Sequence, residues 1–317
     1  MKKYFTALTF ILCSVSVFSQ GLLDEVAQPD SSAYEKPKRE KVYETFYGTR
    51  MINGHTIETN PKGSFVFIIS HRFGRVNSGF YEFFGLDQST VRFGFEYAIL
   101  DKLMLGFGRS SNGAMWDGFV KYRFLEQTKG PRQIPLSMAL FASASLDGRK
   151  HLYADQRKTP FGQRMAYTYQ LMIARKFTKW LSVQVMPTVV HRNFVETKAD
   201  KNLVFVPGIG ARFKVSPSVA IMAEYYYRVG ERRNNGYHNS GAIGVDINTG
   251  GHVFQIQLTN SQSMFESGFL RQTTGNILKG DIHLGFNITR TWGFGSKSKR
   301  KSPKPKTEIK EPKKEKK

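Results

Sequence analysis

One set of residues in this chain has the types that hydrolysis requires. His71 directly follows Ser70, Glu96 lies further along, and Ser110 and Ser111 end the stretch GFGRSS (106–111). A histidine that takes a proton from a serine hydroxyl while a carboxylate orients its ring makes a nucleophile, provided all three lie within hydrogen-bond reach. The surrounding pattern argues against that meeting. His71 alternates with Phe65, Phe67, Ile69 and Phe73 on one face of its segment, whereas Glu96 shares the opposite face of the next with Arg92 and Gly94. The two also fall at different depths, so no enzyme is expected, and a lipid-modifying hydrolase is the alternative. His191, His238, His252 and His283 lack the paired spacing of metal ligands. His283, near Asp281 and Asn287, reads as part of a polar network. GFG contains a GxG, but no helix pattern follows it, which argues against a phosphate cradle. Glycine in such a segment marks interior space or curvature instead. No cofactor or metal is expected.

The elements that would hold these residues are strands. From residue 62 onward, segments of about ten residues alternate with period 2. VRFGFEYAI (91–99) sets Val91, Phe93, Phe95, Tyr97 and Ile99 against Arg92, Gly94, Glu96 and Ala98. Twelve such segments can be read: 64–73, 91–99, 103–108, 115–125, 134–145, 165–176, 181–190, 203–213, 219–228, 242–248, 252–259 and 281–294. Their connections mostly alternate in length, the exceptions being a short loop between the third and fourth segments and a longer turn at 126–133. LDK (100–102), FTKW (177–180), KVSPS (214–218) and NTGG (248–251) are tight, whereas 74–89, 146–164, 191–202, 229–241 and 260–280 are long. An even strand count with tight turns at one end and long loops at the other describes a transmembrane antiparallel β-barrel, with short periplasmic turns and long extracellular loops. Lipid enforces closure, because an unpaired sheet edge cannot be satisfied there. A soluble β-sandwich would explain neither the turn asymmetry nor the aromatics near strand ends.

In such a barrel the aromatic face meets lipid and the charged face lines the lumen. Arg92, Glu96, Asp117, Lys121, Arg123, Arg212, Glu224 and His283 then become lumen groups, with cations in excess. Tyr97, Tyr122, Trp180, Phe213, Tyr225, Tyr227, Trp292 and Phe294 are candidates for the interfacial girdles. The loop RVNSGFYEFFGLD (75–87) carries Phe80, Tyr81, Phe83 and Phe84, more aromatic surface than a solvated loop needs, and is expected to fold over the mouth. Arg149, Lys150, Arg157, Lys158 and Arg164 in one outer loop, and Arg232 and Arg233 in another, would contact lipopolysaccharide phosphates or attract anionic solutes.

The ends are distinct from the barrel. Lys2 and Lys3 precede the apolar stretch 4–17, and VFS (17–19) supplies small residues at the −3 and −1 positions, as in a secretory signal cut near Ser19. No run of about 18 apolar residues follows, so no helical span is expected. Cys13, the only cysteine, leaves with the signal, which removes disulfides and cysteine-based zinc sites from consideration. Residues 20–61 are read as a periplasmic N-terminal segment and 62–294 as the barrel. The net charge of +22 is unevenly placed: residues 295–317 hold eleven Lys or Arg against three Glu and so supply +8 of it. With three prolines and no aromatic, that tail is expected to be disordered and to touch anionic periplasmic material rather than nucleic acid. Both termini are placed in the periplasm of a Gram-negative cell. TRTWGF (289–294) has the aromatic-ended form of a final strand offered to the outer-membrane assembly machinery.

The run KGSFVFIISHRFG (62–74), FFGLD (83–87), RFGFEY (92–97), GFGRSS, DGFVKYRFLEQ (117–127) and IPLSMALFA (134–142), preceded by GTRMINGHTIE (48–58), resembles an uncharacterised outer-membrane β-barrel family, the domain of unknown function 5777. The likeness covers most of 48–294. It implies an outer-membrane barrel and brings no reaction, substrate or catalytic residue with it. The expected function is a narrow small-solute pore with a cationic mouth favouring anions. The alternative is a non-conducting structural or binding barrel.

Overall fold

The computed structural model describes residues 38–152, 158–195, 197–198, 200–230 and 236–294. The expected signal, the Lys-rich tail and three of the loop arginines (Arg157, Arg232 and Arg233) lie outside the described residues. The alternating segments form strands: β1 Ser64–Arg75, β2 Ser89–Leu100, β3 Leu103–Ser110, β4 Trp116–Leu125, β5 Ser137–Leu146 and β6 Met165–Lys176. There follow β7 Leu181–Met186 continuing as Thr188–Arg192, β8 Leu203–Phe205 continuing as Gly208–Lys214, β9 Val219–Tyr226, β10 Ser240–Asn248, β11 His252–Thr259 and β12 His283–Gly293. Each pairs antiparallel with its sequence neighbours, and β12 pairs with β1 from Gly293 opposite Ser64 to His283 opposite Arg75. The ladder is closed, with twelve strands and no edge.

The breaks in β7 and β8 fall at Pro187 and Pro207, which have no N–H to give a ladder. Bonding continues around them: Leu171 donates to the Pro187 carbonyl at 3.0 Å, and Tyr227 to the Pro207 carbonyl at 2.9 Å. The tight turns are closed by their own side chains. Thr178 Oγ1 accepts from the Leu181 N–H, Ser216 Oγ from that of Val219, and Asn248 Oδ1 from that of Gly250, whose positive φ of 83° suits glycine.

The wall is inside-out relative to a soluble sheet. On β2, Phe93, Phe95 and Tyr97 are 45, 39 and 47% exposed, whereas Arg92 and Glu96 between them are 2% exposed. The outward rows of aromatic and aliphatic residues would be untenable in water and are matched by hydrocarbon. Among the described residues no helix is long and apolar enough to cross a membrane, so the strands form the span.

Two segments do not stay outside the barrel. The stretch read as preceding it, up to residue 61, in fact enters the lumen, where Phe46, Met51, Ile52 and Ile57 are at most 2% exposed. From the other end the β11–β12 connection folds inward and forms α1 (Glu266–Arg271), all six of whose residues are buried. The physical reason is width: twelve strands enclose more space than the wall's own side chains fill. The aromatic loop 75–87 is the converse case. Phe80, Tyr81, Phe83 and Phe84 are 79, 97, 53 and 49% exposed, and the space they were expected to cover is occupied by other segments. The loop is turned on itself by the Phe84 N–H bonding to the Gly79 carbonyl at 2.8 Å. A small strap completes the tight-turn end, with Glu40–Lys41 pairing antiparallel with Thr128–Lys129.

Candidate functional site

The lumen segment is a hairpin. Its arms join through the Thr56 N–H to the Thr49 carbonyl at 3.0 Å and the Met51 N–H to the Gly54 carbonyl at 2.8 Å. Glu58 Oε1 ties the base by accepting from the N–H groups of Thr45 and Phe46. The tip is held by Glu224 on β9, whose two carboxylate oxygens accept from the Asn53 N–H at 2.7 Å and the Gly54 N–H at 3.2 Å. Gly54 is required there, because a Cβ would run into the Tyr226 hydroxyl.

A loop inside a barrel carries backbone groups that need partners, and the wall supplies them from inward-facing side chains. Gln255 donates to the Met51 carbonyl at 2.6 Å, Asn287 to that of Ile52 at 3.0 Å and Gln184 to that of His55 at 2.8 Å. Lys121 donates to the Thr56 carbonyl at 3.2 Å, and Gln184 Oε1 accepts from the Ile57 N–H at 2.7 Å. The apolar side chains of the hairpin pack against inward-facing residues of some of the same strands. Phe46, Met51, Ile52 and Ile57 join one cluster with Phe119, Phe141, Met172, Met186 and Met222, and with Phe269 and Leu270 of α1.

Where hairpin and α1 meet, four ionisable groups converge. Glu266 Oε1 lies 2.9 Å from Arg50 Nη1 and 3.3 Å from His55 Nε2, and Arg50 Nε lies 3.5 Å from Glu96 Oε1. The His55 ring packs against Phe119 and Phe141 at 4.3 and 4.4 Å between centroids. Ser267 and Ser145 share a hydrogen bond of 2.6 Å, and the Arg271 guanidinium donates to the Lys201 and Asn202 carbonyls, which fixes α1 to the wall and to an outer loop. A cavity of about 10 Å³ remains beside Arg50, Asn53, Arg72 and Arg92, at the lower limit of what one water needs.

The lumen groups read from sequence face inward, but most are engaged with the hairpin or with each other. Arg92 pairs with Asp117 two strands away, Nε to Oδ1 at 2.9 Å, passing over β3 at Gly108, where a Cβ would strike the guanidinium. The glycines of GFGRSS therefore make room, Gly106 for the Phe119 ring and Gly108 for this ion pair. Arg123 bonds to Glu126 at 3.0 Å and to Glu58 at 3.5 Å. Arg212 donates to the Glu44 carbonyl at 2.9 Å and lies over the Tyr47 ring at the hairpin's entry. His283 is buried, but its Nδ1 bonds to the Phe73 carbonyl at 2.8 Å, whereas Asp281 engages Asn77 and Asn276 in the outer loops and Asn287 engages the hairpin. The expected network of these three is thus three separate contacts.

His71 stacks outward on Phe286 at 5.0 Å, while Ser70, Ser110 and Glu96 face inward, so the hydrolytic set does not assemble. In the outer loop, Arg149 is bound by Asp147, with Nε to Oδ1 at 2.9 Å, and Lys150 and Lys158 are exposed. Sequence reasoning missed Arg50, Asn53, His55, Arg72, Asp246 and Glu266. A signal for the first three was present: Asn53-Gly54 between Met51, Ile52 and Ile57 is a hairpin-turn dipeptide flanked by apolar residues.

A family described as a membrane-bound β-barrel domain, the domain of unknown function 5777, matches residues 46–292, which includes the hairpin as well as the wall. No curated protein matches by sequence. Among solved structures, the NanC porin is 7% identical over 72% of this chain and 98% of that one, with a TM-score of 0.43. The KdgM porin is 9% identical over 73% and 99%, with a TM-score of 0.42. An outer membrane channel from Pseudomonas putida F1 is 13% identical over 74% and 98%, with a TM-score of 0.39. The barrel assignment rests on the closed ladder and the family match.

Proposed function

The chain belongs to this family of membrane-bound β-barrel domains, and from that premise we propose that it is an outer-membrane small-solute channel that rests closed, with residues 44–60 as its gate. The observation that carries the reading is how the hairpin is held. The wall meets its backbone with amides, one carboxylate and a lysine, groups that water can satisfy equally well once the hairpin leaves. Four buried apolar side chains at about 1.5–3 kcal/mol each make the docked state strongly favoured, so opening requires a trigger such as a solute or a partner.

With the hairpin gone, Arg72, Arg92, Lys121, Arg123 and Arg212 face Glu96, Asp117, Glu224 and Asp246 across the wall. The balance is slightly cationic, which supports a modest preference for anions. A second reading has its own support in α1, which closes the lumen from the opposite end. In that reading the barrel stays shut and acts through its surfaces, with exposed Lys150 and Lys158 contacting lipopolysaccharide phosphates and the Lys-rich tail contacting anionic periplasmic material.

Planar-bilayer conductance separates the two. Wild-type protein is expected to be silent, and a variant lacking 44–60 with 262–274 replaced by a short Gly-Ser linker is expected to conduct with mild anion selectivity. A variant verified as folded by its mobility shift on boiling that still does not conduct would refute the channel and leave the closed barrel.

A further inference from the structure

At the tight-turn end, outside the lumen, Arg39, Lys41 and Lys102 surround a cavity of about 290 Å³. Its remaining wall includes Phe124, Leu125 and Ile134. Phe124 belongs to the outward row of β4 and is 39% exposed, so the apolar side of the cavity is continuous with the lipid-facing surface. The cations come from separate elements that are fixed to one another. Lys41 lies in the strap, held by its pairing with Thr128 and by the Val42 N–H donating to the Gln127 carbonyl at 2.9 Å. Lys102 lies in the β2–β3 turn, whose carbonyl accepts from the Arg123 N–H at 2.8 Å.

The charge in the cavity is not balanced. Among the described residues, Glu126 is the one acidic residue lining it. Its carboxylate is shared by Lys41 at 2.6 Å, Arg123 at 3.0 Å and Lys102 at 3.7 Å. Arg39 spends its Nε on the Thr128 hydroxyl at 3.0 Å. Burial alone would raise the Glu126 carboxyl, but the Lys41 hydrogen bond and the charges of Arg123, Lys41 and Lys102 prevail and hold it below its ordinary value. It stays ionised and still leaves positive charge over. The Lys41 and Lys102 side chains are 52 and 42% exposed, open to a further anion.

We propose that this cavity binds the phosphate of an anionic phospholipid in the adjoining leaflet, with the cations on the phosphodiester and an acyl chain along Phe124 and Ile134. A soluble anion would use the cations and leave the apolar wall idle. A zwitterionic lipid would bring an ammonium group into a site that is already positive. Lys41 immediately precedes the stretch that turns into the lumen, so a bound lipid would also tie the hairpin's stem to the membrane.

The test is native mass spectrometry of the full chain released from detergent micelles containing equal amounts of dioleoyl phosphatidylglycerol and dioleoyl phosphatidylcholine. Wild type should retain phosphatidylglycerol at least tenfold over phosphatidylcholine. Lys102→Gln should lower that ratio severalfold, and Glu126→Gln, which removes the competing carboxylate, should raise it, an outcome misfolding cannot imitate. Lys179→Gln, in the β6–β7 turn, should leave it unchanged. Three results would each overturn the proposal: no preference in wild type, equal loss in Lys179→Gln, or displacement of the lipid by millimolar inorganic phosphate.

Discussion

Glu224→Ala removes the acceptor that holds the hairpin tip. Its oxygens take the Asn53 and Gly54 N–H groups at 2.7 and 3.2 Å in a fully enclosed position. Without them two backbone donors remain buried and unpaired, each costing about 1–3 kcal/mol. Loss of the carboxylate's own desolvation cost offsets part of this, so docking should weaken by about 2–3 kcal/mol. That corresponds to about a 30- to 150-fold rise in the undocked population. A thiol at residue 49 reads it out. Thr49 is 3% exposed, and Cys13 is the only native cysteine, so Thr49→Cys on a Cys13→Ser background reacts with a bulky maleimide only when the hairpin is out. The labelling rate should rise by the stated factor in Glu224→Ala while the barrel keeps its mobility shift on boiling. A rise below about threefold, worth about 0.7 kcal/mol, in folded protein would show that the tip clamp does not hold the gate.

Gly108→Val should push the Arg92 guanidinium off Asp117 and cost about 3–5 kcal/mol of barrel stability in a urea titration, whereas Gly118→Ala, whose nearest neighbour is the Gly106 carbonyl at 3.6 Å, should be tolerated. Phe95→Arg on the lipid face should cost about 2–4 kcal/mol. Gly94→Arg, which would be mild in a wet lumen, should also be damaging, because a Cβ there already meets Arg92 at 2.7 Å; unimpaired folding would argue for an open lumen. The Asn276 N–H and the Asn77 amide hold the Asp281 carboxyl below its ordinary range. Its folded pKa is depressed, so its contribution is complete above the ordinary carboxylate range and is lost as pH falls below about 4. Protection from hydrogen exchange in residues 274–282, corrected for the intrinsic exchange rate at each pH, should therefore fall between pH 5 and 3, and Asp281→Asn should abolish the difference.

Sequence alone determined the wall. Alternation with period 2 is a property of each strand by itself, and an aromatic row opposite a charged one has only one stable orientation in a closed sheet surrounded by lipid. The turns were equally local: Thr178, Ser216 and Asn248 close them with hydrogen bonds to residues two or three positions away. The parity that kept His71 from Glu96 followed from the same period.

The contents of the barrel were decided by tertiary structure. Arg92 finds Asp117 across an intervening strand because Gly108 leaves a path, and that relation depends on register. Arg50 meets Glu266, more than two hundred residues away, because two segments enter from opposite ends and stop at the same depth. Nothing in their sequences sets that depth. It follows from the width of a twelve-strand ring, whose wall side chains cannot fill it, and from where Glu224, Gln184 and Gln255 offer partners to a buried backbone. The aromatic loop shows the limit from the other side. Its composition suggested a cap, but a cap needs an open mouth, and the β11–β12 connection with α1 already fills that end.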